Sequence, residues 1–175
     1  IGREYLPVGT PPTKVAIGGD IDGDGDADLV LGYKGQNRLL RNLGGGRLVE
    51  ETGTRMPADN DDTLCLLLVD VDGDLDLDVV CGNAKANRLY LNSGKGYFVD
   101  ASVGRMPVTA RRTAHLASGD FNGDGKADLL TANGYREGNQ LLLGDGTGRF
   151  TAAGPTPWNS VYLAEHMAVD DINRD

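Results

Sequence analysis

Three segments of the chain place an acidic or amide side chain at nearly every second residue: Asp20-Ile-Asp22-Gly-Asp24-Gly-Asp26-Ala-Asp28, Asp70-Val-Asp72-Gly-Asp74-Leu-Asp76-Leu-Asp78 and Asp120-Phe-Asn122-Gly-Asp124-Gly-Lys126-Ala-Asp128. In a tight turn, oxygens at loop positions 1, 3 and 5 converge, position 7 offers its backbone carbonyl, and the carboxylate at position 9 (Asp28, Asp78, Asp128) closes the cage. Ca²⁺ accepts six to eight oxygens in a flexible shell, whereas Mg²⁺ demands a near-octahedral one and keeps its waters, so calcium is the predicted ion. Of 26 acidic residues, 13 lie in these loops, five, five and three in turn, and without a cation they repel one another. A fourth, incomplete site opens at Asp171, Asn173 and Asp175 and has no ninth-position carboxylate.

The opening Asp-x-Asp-x-Asp spacing is shared with helix-flanked EF-hand loops, which close on a carboxylate at position 12. Here position 12 is Leu31, Cys81 or Thr131, and Leu29-Val30-Leu31 and Val79-Val80-Cys81 read as strand. In the second loop Leu75 replaces the glycine found at Gly25 and Gly125. If the turn needs a positive φ there, the backbone is strained by roughly 1–2 kcal/mol.

The first Asp residues of the three loops stand 50 residues apart, and the register extends past the loops. Asn37-Arg38-Leu39 recurs as Asn87-Arg88-Leu89, Arg55-Met56-Pro57 recurs as Arg105-Met106-Pro107, and Asn139-Gln140-Leu141 comes two residues late. Within the first unit, apolar runs between Gly-rich and Asp-rich turns predict strands at 15–19, 29–33, 38–42 and 47–51. The first two strands of each unit are nearly continuous apolar runs, as suits sheets covered on both faces, and the fourth is more polar, as an outer strand should be. The expected fold is therefore all-β: a β-propeller of four-stranded antiparallel blades of about 50 residues each. Residues 14–63, 64–113 and 114–164 form three repeats, 1–13 supply the outer strand of a preceding blade, and 165–175 begin a fourth repeat. Such an arc leaves the faces of its terminal blades open, so further blades, from the same or another chain, are expected to cover them.

The 26 glycines and 6% aromatic content fit many turns between short strands. A formal net charge of −9 argues against nucleic-acid phosphate as a partner and favours cations. No run of eighteen apolar residues is present to span a membrane as a helix.

These repeats resemble the FG-GAP or VCBS type found in integrin α-subunit propellers and in many secreted bacterial and fungal proteins. The resemblance implies a propeller, usually seven-bladed, with calcium in the loop joining the first two strands of a blade. It implies ligands Asp20, Asp22, Asp24 and Asp28, then Asp70, Asp72, Asp74 and Asp78, then Asp120, Asn122, Asp124 and Asp128, with the carbonyls of Asp26, Asp76 and Lys126. The function expected from it is an extracellular, secreted or periplasmic binding or adhesion module for a protein or glycan, with calcium in a structural role. The alternative is a propeller domain of a secreted enzyme of polysaccharide lyase or phospholipase type. The chain contains no G-x-S-x-G or H-E-x-x-H motif and no Cys-His pair at catalytic spacing, so it is read as non-enzymatic.

Cys65 and Cys81 flank the second loop, on strands that pair within one blade. An oxidising compartment would permit a disulfide between them, and a pair of buried thiols acting as small hydrophobes is the other reading. His115 and His166 share the repeat position of Val15 and Cys65, where packing between blades is favoured over a transition-metal cluster. Trp158, Tyr162, Tyr135 and Arg136 lie in or near loops, as a binding patch or as packing residues.

Overall fold

A computed structural model describes residues 12–108, 110–134 and 137–154. It contains twelve strands in three four-stranded antiparallel sheets, each made from consecutive strands. The first blade comprises β1 (Val15–Gly19), β2 (Asp28–Gly32), β3 (Arg38–Asn42) and β4 (Leu48–Glu50). The second comprises β5 (Thr63–Val69), β6 (Asp78–Asn83), β7 (Arg88–Asn92) and β8 (Phe98–Asp100). The third comprises β9 (Thr113–Gly119), β10 (Asp128–Asn133), β11 (Gln140–Gly144) and β12 (Phe150–Ala152). The first and third strands of the first repeat fall where the sequence places them. The second begins at Asp28, so the last loop carboxylate is already part of the sheet.

The apolar runs explain why sheets stack face to face. Every residue of β6 is buried, because its two sides meet different neighbours. One core joins Ile21, Val30, Leu39 and Met56 of the first blade to Leu66, Val79, Cys81, Tyr90 and Phe98 of the second. A second core joins Val71, Val80, Leu89 and Met106 to Leu129, Leu142 and Phe150 of the third. These two cores lie between blades, a third around Leu31, Tyr33 and Leu40 lies within the first blade, and β5 packs beside both β1 and β9, which is a propeller's arrangement of inner strands.

One feature is new to the sequence reading, and of the two cysteine readings the structure has the buried thiols. A single helical turn, α1 (Thr52–Arg55), follows β4, and its buried Thr52 accepts the Leu39 N–H on Oγ1 at 3.0 Å. Cys65 and Cys81 are free thiols and do not form the disulfide. The regular pairing that runs from Val69 and Asp78 sets Cys65 opposite Gly82 and Leu66 opposite Cys81. Side chains alternate along a strand, so the two sulfurs point to opposite faces of the sheet. Cys65 Sγ donates to the Thr113 carbonyl of the third blade at 3.6 Å, and Cys81 Sγ accepts from Asn37 Nδ2 of the first, also at 3.6 Å. The outer strand expected within 1–13 and the fourth repeat lie largely or wholly outside the described residues.

Candidate metal centres

Each Asp-rich loop joins the first strand of its blade to the second, and its first and last carboxylates organise it. Asp20 takes the N–H groups of Gly23 (2.9 Å) and Asp24 (3.1 Å) on Oδ1 and that of Gly25 (3.0 Å) on Oδ2. Asp70 does the same for Gly73 and Leu75, and Asp120 for Gly123, Asp124 and Gly125. These bonds curl the backbone around the first carboxylate and hold Asp120 below the usual carboxylate range, the Gly125 N–H contributing most.

The ninth-position carboxylates are buried and span two elements. Asp28 accepts the Ile21 N–H at 3.1 Å and the Asn42 N–H at 2.7 Å, tying the loop to β3. Asp78 does so with Val71 and Asn92, and Asp128 with Phe121 and Gly144. Burial raises the pKa of Asp28 and pushes that of Asp78 up to about 6, against the pull of the two N–H groups that each accepts. Each ninth residue therefore serves as a structural staple as well as a candidate ligand. The fixed spacing marked these residues; the N–H groups they would accept could not be read from it.

In the first loop, carboxylate oxygens of Asp20, Asp22 and Asp28 lie within 4.8 Å of one another, and in the second those of Asp70, Asp72 and Asp78 do so. Asp22 Oδ1 and Asp72 Oδ1 are buried and lack a hydrogen-bond partner. Three carboxylates around an unsatisfied buried oxygen is a donor set suited to a hard cation, so these residues fit calcium. Asp24 and Asp74 stand outside the two triads, and each accepts the N–H of the residue two ahead, Asp26 or Asp76, at 3.0 Å. The Asp26, Asp76 and Lys126 side chains reach instead toward Gly44, Gly94 and Gly146, in the turn between the third and fourth strands.

The loops differ in their surroundings. Arg41 donates to Asp22 Oδ2 at 2.9 Å, while its repeat counterpart in the second blade is Leu91. In the third loop Asn122 replaces an Asp and donates from Nδ2 to Asp124 Oδ2 at 3.2 Å, while Lys126 Nζ lies 3.7 Å from the same oxygen. Amide and cationic partners thus neutralise part of the acidic charge of the third loop, as Arg41 does in the first. Among the described residues no third acidic triad forms.

Of the other candidates, His115 lies half-buried on β9 opposite Ala132 and belongs to neither triad. His166, Trp158, Tyr162, Tyr135, Arg136, Asp171, Asn173 and Asp175 lie outside the described residues. The recurrent Asn37 and Asn87 prove to be turn clamps, accepting the Tyr33 and Asn83 N–H groups at 3.1 Å.

No curated protein sequence matches the chain. Among solved structures, one of an Agrocybe aegerita lectin described in terms of specific recognition of non-reducing terminal N-acetylglucosamine aligns with a TM-score of 0.49 at 24% identity. The alignment covers 81% of this chain and 36% of the lectin chain, so this chain spans about a third of that structure's length. A sequence profile of the FG-GAP-like repeat matches three times, over residues 20–81, 70–131 and 120–175, each match beginning at the first Asp of a loop. With three overlapping matches extending from the first loop to the last residue, the chain belongs to the FG-GAP-like repeat family.

Proposed function

We propose that this chain is a calcium-stabilised propeller segment acting as a non-enzymatic, extracellular binding module for a protein or glycan. The observation that carries the calcium role is the pair of carboxylate triads, each with a buried, unpartnered oxygen on Asp22 or Asp72. Asp20, Asp22 and Asp28 would hold one ion and Asp70, Asp72 and Asp78 another. The cation would supply charge neutralisation and oxygen coordination that the folded chain alone does not. The third loop, with Asn122 and Lys126, would bind more weakly.

An extracellular setting is part of this reading because it would suit weak calcium sites. Extracellular calcium modules have dissociation constants of about 10⁻⁴ to 10⁻³ M, matched to millimolar free ion. At a tenfold excess of calcium over that constant, each site adds about 1.4 kcal/mol of stability. For two sites in a chain of this size, the melting temperature should rise by roughly 5–10 °C. The test is thermal unfolding in excess chelator and in millimolar calcium, with magnesium as the control. A melt that does not move, or that magnesium moves equally, would overturn the calcium reading.

A further inference from the structure

Each blade has two ends. β2 returns from the first Asp loop, so Lys34, just past its last residue, lies at the end of the sheet away from that loop. There, between the first and second blades, is a cavity of about 520 Å³ lined by Lys34, Asn60, Asp61, Asp62, Ala84 and Lys85, among others. Its volume is in the range of small-ligand sites.

The charges around it are unevenly satisfied. Asp61 Oδ2 accepts from Arg88 Nε at 2.7 Å, and Asp62 Oδ1 is paired with Lys14 Nζ. Lys34 and Lys85 have no ion-pair or hydrogen-bond partner for their ammonium groups among the described residues, and both are exposed. Arg88 also lies 3.2 Å from Asp100 Oδ2, so the two lining carboxylates are each engaged by a cation and Lys34 and Lys85 are the unpaired charges of the lining. The next cleft lacks this arrangement. Fifty residues on, Lys34, Asn60, Asp61 and Asp62 become Ala84, Ala110, Arg111 and Arg112, and Glu137 accepts from Arg111 Nη1 on its carbonyl and from the Arg112 N–H on its carboxylate, both at 2.6 Å. The cleft between the first and second blades is thus individual, where the Asp loops are repeated.

We propose that this cavity binds a carboxylate-bearing saccharide unit, an acidic pyranose of the hexuronate type. This deepens the binding-module reading by naming a ligand class, and it rests on that reading. The two free ammonium groups match a carboxylate in charge. The Asn60 amide and the second oxygens of Asp61 and Asp62, which have no partner among the described residues, offer a donor and acceptors for ring hydroxyls. These unpartnered donor and acceptor groups favour a polyhydroxylated ligand, and the apolar part of the lining suits the C–H face of a pyranose ring.

The test titrates the chain in calcium with methyl β-D-glucuronide, methyl β-D-glucoside and N-acetylaspartyl amide, following backbone amide resonances. The glucuronide should shift the Gly35 and Ala84 signals, with millimolar affinity that weakens as salt is raised. The glucoside, which carries a neutral hydroxymethyl group in place of the carboxylate, should bind about fivefold more weakly. Lys34→Gln and Lys85→Gln each should weaken the glucuronide about threefold without moving the melting temperature, because both side chains are exposed. Equal binding of the glucoside, equal or tighter binding of the aspartyl amide, or no shift at tens of millimolar overturns the proposal. Melts in calcium and chelator, run alongside, separate the two readings. A calcium-dependent melt without glucuronide shifts sinks this inference alone, whereas pocket shifts with a calcium-independent melt remove the calcium role and leave the pocket standing.

Discussion

Leu75→Gly should stabilise this protein, although it deletes a large apolar side chain. Leu75 is the only described non-glycine residue with positive φ, at 72°, and its counterparts Gly25 and Gly125 adopt 88° and 77°. A left-handed conformation costs a side-chain-bearing residue about 1–2 kcal/mol. The side chain is 90% exposed, so removing it forfeits almost no packing. The opposing term is the greater freedom that glycine gives the unfolded chain, about 0.5–1 kcal/mol. The net gain is about 0.5–1 kcal/mol, or roughly 1–4 °C in melting temperature for a chain of this size. Gly25→Leu should lose a similar amount, since a Cβ at Gly25 meets nothing within 4 Å and backbone conformation alone sets the penalty. Both variants are read by thermal melts in chelator and in calcium, and the sign should be the same in each because the strain belongs to the turn. A Leu75→Gly variant melting at or below the parent in both conditions would refute the reasoning.

Two further outcomes follow from buried titratable groups. Asp78 has its folded pKa raised from 3.8 to about 6, mainly by burial, so without calcium the ionised form is the one the fold disfavours. Its contribution to stability is intact below pH 3.8 and falls by up to about 3 kcal/mol as pH rises to 6. Melts in chelator should therefore show a downward slope over that interval that Asp78→Asn lacks, and parallel slopes for parent and variant would contradict it. The Cys65 thiol is pushed up to about 12 by burial and that of Cys81 well above its ordinary value for the same reason, so a thiol reagent at pH 8 should label neither until the chain unfolds. Fast labelling of the native protein, or a mass showing two fewer hydrogens, would contradict the register that separates them.

How much could be read beforehand depended on whether an interaction repeats. The loops, the strand positions and the strained Leu75 were legible because a 50-residue period exposes each residue against its counterparts. Face assignment was not: Cys65 pairs with Gly82 rather than with Cys81, and a single step of register moves a side chain to the other face. The cavity between the first and second blades was equally hidden, since Asn60, Asp61 and Asp62 have no counterparts one repeat on and no motif marks them. Spacing assigned only the backbone carbonyls of Asp26 and Asp76 to the cages, and that their side chains reach toward Gly44 and Gly94 could not be read from it.

The Asp loops are not confined to their own blades. Asn92 of the second blade donates from Nδ2 to the Ile21 carbonyl of the first loop at 2.7 Å, and Gly148 of the third donates its N–H to the Val71 carbonyl of the second loop at 3.0 Å. Beside each junction an arginine from the earlier blade reaches across: Arg55 to the Lys95 carbonyl, with its guanidinium 4.2 Å from the Tyr97 ring centroid, and Arg105 to the Thr147 carbonyl. Ile21 and Val71, which follow the first Asp of their loops, also belong to the cores shared with the next blade. Ordering a loop therefore orders the surface on which the following blade docks. In a linear array whose stability is the sum of units and nearest-neighbour interfaces, that coupling makes the first and second loops part of an interface as well as local turns.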